Sequence, residues 1–88
     1  GDRTTLMDKV MGNAAALLSV SAGAGLVYSP LGSELASATL KKYSVEYYLE
    51  RTVPFILAHN GKDMCPMEKL SLNQSPAGFL AILKQKQG

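Results

Sequence analysis

The residues best suited to chemistry in this chain are Cys65 and Glu68, within Cys65-Pro66-Met67-Glu68, together with Asp8, Lys9 and His59. Cys65 is the only cysteine, and it follows a polar loop, His59-Asn60-Gly61-Lys62-Asp63. Proline at the next position marks a helix start. A thiol there faces unpaired backbone N–H groups and the positive end of the helix dipole, and both favour thiolate. That makes Cys65 a candidate nucleophile or redox thiol, with His59 or Lys9 as its activator. A plainer reading stands beside it. Cys65 is then a helix cap that happens to be sulfur, Glu68 is the capping-box residue three positions on, and His59 is an exposed loop imidazole. Asp8 and Lys9 read equally well as the solvated first turn of a helix.

Other chemistries lack their parts. A catalytic zinc site takes three protein ligands. Here one His and one Cys would need Asp63 or Glu68 to complete a set, at spacings unlike a metal motif, so no metal and no cofactor are expected. Gly23-Ala24-Gly25 precedes a strand-like segment, the wrong order for a phosphate loop, and no serine-nucleophile elbow is present.

The elements that must position these residues read as an α/β arrangement. Leu6, Val10, Ala14, Leu17 and Leu18 recur at helical steps, which predicts a helix over about Thr5 to Ala22, stopped by Gly23. Leu26-Val27-Tyr28 reads as a short buried strand. Ser29-Pro30 reads as the start of a second helix, ending at Lys41-Lys42, and Val45 to Leu49 as a second strand with one tyrosine in and one out. This order implies a parallel pair with a crossover. Thr52 to Ala58 is ambiguous because Pro54 interrupts a strand-like run. Asn60-Gly61 signals a turn, and Cys65-Pro66 and Ser75-Pro76 each begin a helix.

Length and composition bound the function. Eighty-eight residues make a single domain, 1–88, with a small core. A net charge of +2, from nine basic and seven acidic residues without a basic stripe, gives no nucleic-acid signature. The longest apolar stretch, Ala14 to Val20, is too short to span a membrane. A lone cysteine fits a reducing, cytoplasmic setting.

Particular residues then suggest a family. Asp8-Lys9-Val10-Met11-Gly12-Asn13-Ala14-Ala15-Ala16 resembles the opening of a helix in a group of small uncharacterised prokaryotic domains. In that group a Val-Tyr strand, a helix and a segment like Val53-Pro54-Phe55-Ile56 follow. The closing signature resembles Gly61-Lys62-Asp63-Met64-Cys65-Pro66-Met67-Glu68, and order and spacing agree over roughly Met7 to Leu70. The group belongs to the cytidine-deaminase-like superfamily. The resemblance therefore implies a three-layer α/β/α sandwich, here with a truncated sheet, because the family's N-terminal hairpin has no counterpart ahead of Thr5. Asn13 stands where the family has Lys.

Deaminases hold zinc with a His or Cys plus a Glu at one helix start and Cys-x-x-Cys at the next. The matching positions here are Asp8-Lys9-Val10 and Ser29-Pro30-Leu31-Gly32, which offer no such ligands, so zinc-dependent deamination is not expected. The resemblance implies instead a module that binds a small nucleotide-like ligand beyond the carboxyl ends of the strands, at Asp8, Lys9, Cys65 and Glu68. Lys9 would face an anion, Asp8 and Glu68 would accept from a base or sugar, and Cys65 would donate weakly or react. Two alternatives remain: an enzyme or redox-sensitive protein acting through Cys65, and a structural module that forms a homo-oligomer through an exposed sheet edge.

Overall fold

A computed structural model describes residues 4–58 and 60–87. His59 lies outside the described residues. The elements are β1 (Thr4–Met7), β2 (Val10–Met11), α1 (Asn13–Ser21), β3 (Ala24–Ser33), α2 (Glu34–Lys42), β4 (Glu46–Val53), α3 (Pro66–Ser71) and α4 (Pro76–Gln87).

The sheet is parallel throughout. β3 is central, with β1 and then β2 along one edge and β4 along the other. Met7 pairs with Tyr28 and Val10 with Leu31, so β1 and β2 act as one strand broken at Asp8-Lys9. The break has a cause in the opposite strand. Pro30 carries no N–H and pairs in neither ladder of β3. Proline is otherwise unsuited to a central strand, and here its exposed ring sits where the neighbouring edge strand is interrupted.

This arrangement corrects two expected helices. Only Asn13 to Ser21 of the predicted Thr5–Ala22 helix is helical. Leu6 meets the helical spacing, yet it packs against the core from β1. Gly12 separates strand from helix. Likewise Ser29-Pro30 does not start α2. Ser33 does, its Oγ accepting from the Ala36 N–H at 3.0 Å, with Glu34 in the first turn and Lys41 and Lys42 in the last. The strands are correspondingly longer than expected, β3 running past Tyr28 to Ser33 and β4 past Leu49 to Val53. The parallel crossover, the stop at Gly23 (φ 78°) and the turn at Asn60-Gly61 are as read from the sequence.

The core lies between one face of the sheet and the helices α1 and α2. Val27, Val45 and Met11 meet Ala16, Ala36 and Leu40, all buried. The small residues on α1 let its axis approach the strands closely. On its far side Ala14 and Leu17 pack against Phe79 of α4, with Leu18, Leu70 and Leu83 around them, so α1 is held between sheet and α4. Tyr47 points to the core and Tyr48 is 57% exposed, as strand alternation requires.

The opposite sheet face is open. Met7 is 75% exposed, and Tyr48 stacks on Tyr28 with ring centroids 5.5 Å apart. The Tyr28 hydroxyl donates to Glu50 at 2.6 Å, and this bond to a carboxylate pushes the phenol above its ordinary range. Among the described residues this region of the face carries no helix, and the architecture is an α/β unit of four strands and four helices.

Candidate functional site

After β4 the chain turns at Pro54 and runs out and back. Leu57 and Met64 bridge antiparallel, the Ala58 N–H bonds to the Asp63 carbonyl at 2.7 Å, and the Cys65 N–H to the Ile56 carbonyl at 2.8 Å. Asn60 Oδ1 closes the turn by accepting from the N–H groups of Lys62 and Asp63. This hairpin-like excursion delivers Cys65-Pro66 to the start of α3, beside the first turn of α1.

Cys65 occupies the N-cap position of α3, as the sequence suggests, but makes no side-chain capping bond. Glu68 does not reach back to it as a capping-box residue either. Its carboxylate turns to another element: Oε1 accepts from the Asn13 N–H at 2.5 Å and Oε2 from the Ile56 N–H at 2.8 Å. The physical need is at α1, whose N-cap is Gly12 and offers no side-chain acceptor. A carboxylate at a helix N-terminus satisfies an orphan donor and opposes the helix dipole favourably. Glu68 is 2% exposed, so this is a buried charge held by two N–H groups. A Cβ at Gly12 would lie 3.1 Å from Glu68 Oε1 and 3.2 Å from Ile56 Cγ1, so the absence of a side chain there is what admits the carboxylate.

The Asn13 side chain extends the network. Its Nδ2 donates to the Ser71 carbonyl at 3.0 Å and to Ser71 Oγ at 3.1 Å, and its Oδ1 accepts from the Thr39 hydroxyl. Ser71 Oγ in turn donates to the Glu68 carbonyl at 2.7 Å. Asn13, Glu68 and Ser71 are all buried, and every buried side-chain polar atom among the described residues has a partner. The network ties α3 to α1 and α2 and fixes the position of Cys65.

Against that frame lies a cleft of about 290 Å³ between the first turns of α1 and the 65–68 segment. Its walls are almost wholly apolar, from Val10, Ala15, Leu18, Ile56 and Met67, with Cys65 and Glu68 the chemically distinctive members. Gly12 follows β2 and Ile56 follows β4, so the cleft opens beyond the carboxyl ends of the strands, where α/β sheets place ligands. Cys65 and Met67 also border a second groove, with Leu57 and Ala58, on their other side.

The four residues expected to form one site are therefore divided. Cys65 and Glu68 share the cleft. Asp8 and Lys9 are exposed in the break between β1 and β2 and do not border it. The Asp8 N–H continues the ladder to the Tyr28 carbonyl at 3.1 Å. Among the described residues no three His, Cys, Asp or Glu side chains gather as a metal site, and no helix is long and apolar enough to cross a membrane. Sequence reasoning missed the tie from Glu68 to Asn13, which spans 55 positions. Its local signal, a glycine where an N-cap side chain is usual, becomes visible only once α1 is known to start at Asn13.

Comparison with known proteins places this geometry in a family. No curated protein matches the chain. A crystal structure of a DUF1893 family protein (TM1506) from Thermotoga maritima matches with a TM-score of 0.85 and 30% identity, over 92% of this chain and 56% of that one. The chain thus spans little more than half the length of that relative. The family model described as "TM1506: Domain of unknown function (DUF1893)" matches residues 2–86, nearly the whole chain, and the chain accordingly belongs to the DUF1893 family.

Proposed function

We propose that this domain binds a small ligand in the cleft beside Cys65, and that the ligand is nucleotide-like, with a flat ring entering the apolar walls. The observation that carries this reading is the cleft itself: apolar, of about 290 Å³, at the carboxyl end of a parallel sheet, with a thiol at its border. Its volume is near the lower end for ligand pockets and suits one ring system rather than a whole dinucleotide. Glu68 has both carboxylate oxygens engaged by backbone N–H groups, so its part is to hold the wall in place. Cys65 forms no side-chain hydrogen bond in its cap position and is the group free to contact the ligand.

The scaffold in this reading is of cytidine-deaminase-like type, serving binding rather than zinc chemistry. Support comes from the run of parallel strands joined by crossover helices, with helix starts gathered at one end of the sheet.

Titration of the protein with cytidine, uridine, adenosine and guanosine, followed by amide NMR, tests it. The expected result is saturable shifts at Gly12, Ala15, Ile56, Cys65 and Met67 with at least one nucleoside. Cys65→Ser keeps the fold, because serine is the better cap, and binds at least a few-fold more weakly, through loss of the polarisable contact. Shifts confined to other surfaces, or none with any of the four, would refute the nucleotide-like assignment.

A further inference from the structure

We propose a second binding site, for a small carboxylate with an apolar body, in the cleft between the outer face of α2 and the turn joining α3 to α4. This cleft measures about 470 Å³, well within the range of small-molecule sites. It is separate from the Cys65 cleft. Asn13 borders this one, and Gly12 and Ala14 border the other, so the first turn of α1 stands between them.

The lining has two characters. Leu35 on α2 and Leu72 after α3 supply apolar wall, and Lys42, Asn73, Gln74 and Ser75 supply the polar part. No Asp or Glu borders the cleft. The polar floor is already satisfied, since Asn13 and Thr39 bond to one another and Asn13 to Ser71. At the rim, Lys42 is exposed, its Nζ 5.5 Å from the centroid of the Tyr43 ring. Asn73 is exposed and Gln74 half-buried, so their side-chain amides are open to the cleft and to solvent. Ser75 Oγ accepts from the Gly78 N–H at 3.0 Å, which leaves its own proton to donate.

The rim therefore offers one positive charge and several side-chain donors, with no carboxylate among the residues that border the cleft. Its complement is an anion that accepts from more than one direction, and the adjoining leucines call for an apolar body on it. The place of Lys42 in the last turn of α2 accounts for a cation at that position. The amides of Asn73 and Gln74 and the Ser75 hydroxyl share the cleft with it.

Benzoate, benzyl alcohol and inorganic phosphate, titrated separately into the protein and followed by amide NMR, make the test. Benzoate is expected to give saturable shifts at Leu35, Thr39, Lys42 and Asn73 to Ser75. Benzyl alcohol and phosphate, each lacking one half of the complement, are expected to bind about five-fold or more weakly, on the scale of one partly exposed charge-assisted contact. Lys42→Met should lower benzoate affinity by a similar factor and leave benzyl alcohol unchanged, while a native amide spectrum shows that the variant folds. Benzyl alcohol binding as well as benzoate, phosphate binding as well as benzoate, shifts confined to the Cys65 cleft, or no saturable shift at all would each overturn the proposal.

Discussion

Replacing Glu68 by alanine is expected to destabilise the domain by about 3 kcal/mol, the cost of leaving two N–H groups, those of Asn13 and Ile56, without a charged acceptor in a buried setting. For a domain of this length that is a large share of the roughly 4–13 kcal/mol that holds such chains folded. The midpoint of thermal unfolding should fall by about 12–20 °C. Glu68→Gln should cost less, about 1–2 kcal/mol, because an amide retains one acceptor oxygen but presents its NH₂ to the second N–H. The ordering matters more than either value. If alanine and glutamine were both neutral, the carboxylate would not be capping α1, and the fixed position of Cys65 would lose its explanation. Urea denaturation of the three proteins reads the ordering directly.

Phe79→Ala is expected to be costlier still, about 4 kcal/mol, since a fully buried ring leaves a cavity that α1 and α4 close only in part. Phe79 is the largest buried side chain in the cluster that joins Ala14 and Leu17 to α4. Because α4 packs on α1 and not on the sheet, the expected failure is specific. The last helix loosens first, and hydrogen exchange should rise along Ala77 to Gln85 before it rises in β3. Phe79→Leu should recover most of the loss, at about 1–1.5 kcal/mol. Uniform exchange across the whole domain in Phe79→Ala would show that α4 is not a separable layer.

The sequence was most legible where local chemistry decides the structure. Pro66 and Pro76 begin helices where proline and its preceding residue direct them, Gly23 and Gly61 take positive φ, and Tyr47 and Tyr48 divide between core and solvent. It was misleading where tertiary pairing overrides local pattern. Leu6 and Val10 fit a helical repeat, yet the neighbouring central strand draws them into the sheet. Ser29-Pro30 has the grammar of a helix start, but Ser29 is buried within β3, and its Oγ bonds to the Leu31 carbonyl at 2.8 Å across the proline.

The same distinction runs through the candidate sites. Cys65 and Glu68 stand out as a local tetrad and do come to one cleft, whereas Asp8 and Lys9 joined them only on the premise of a helix starting near Thr5. The bond from Glu68 to α1, and the cleft between Lys42 and Ser75, depend on elements far apart in the chain, and nothing in the spacing of residues announces them.

Native mass spectrometry of the protein purified from cells, beside its Val10→Lys variant, tests most directly whether the Cys65 cleft is a ligand site. Val10 is 41% exposed at the rim of that cleft, so lysine there adds charge and bulk to the apolar mouth without entering the core. A ligand site there predicts a small-molecule adduct on the wild-type protein that is lost from Val10→Lys. The same adduct on both proteins, or an adduct on neither, would contradict it.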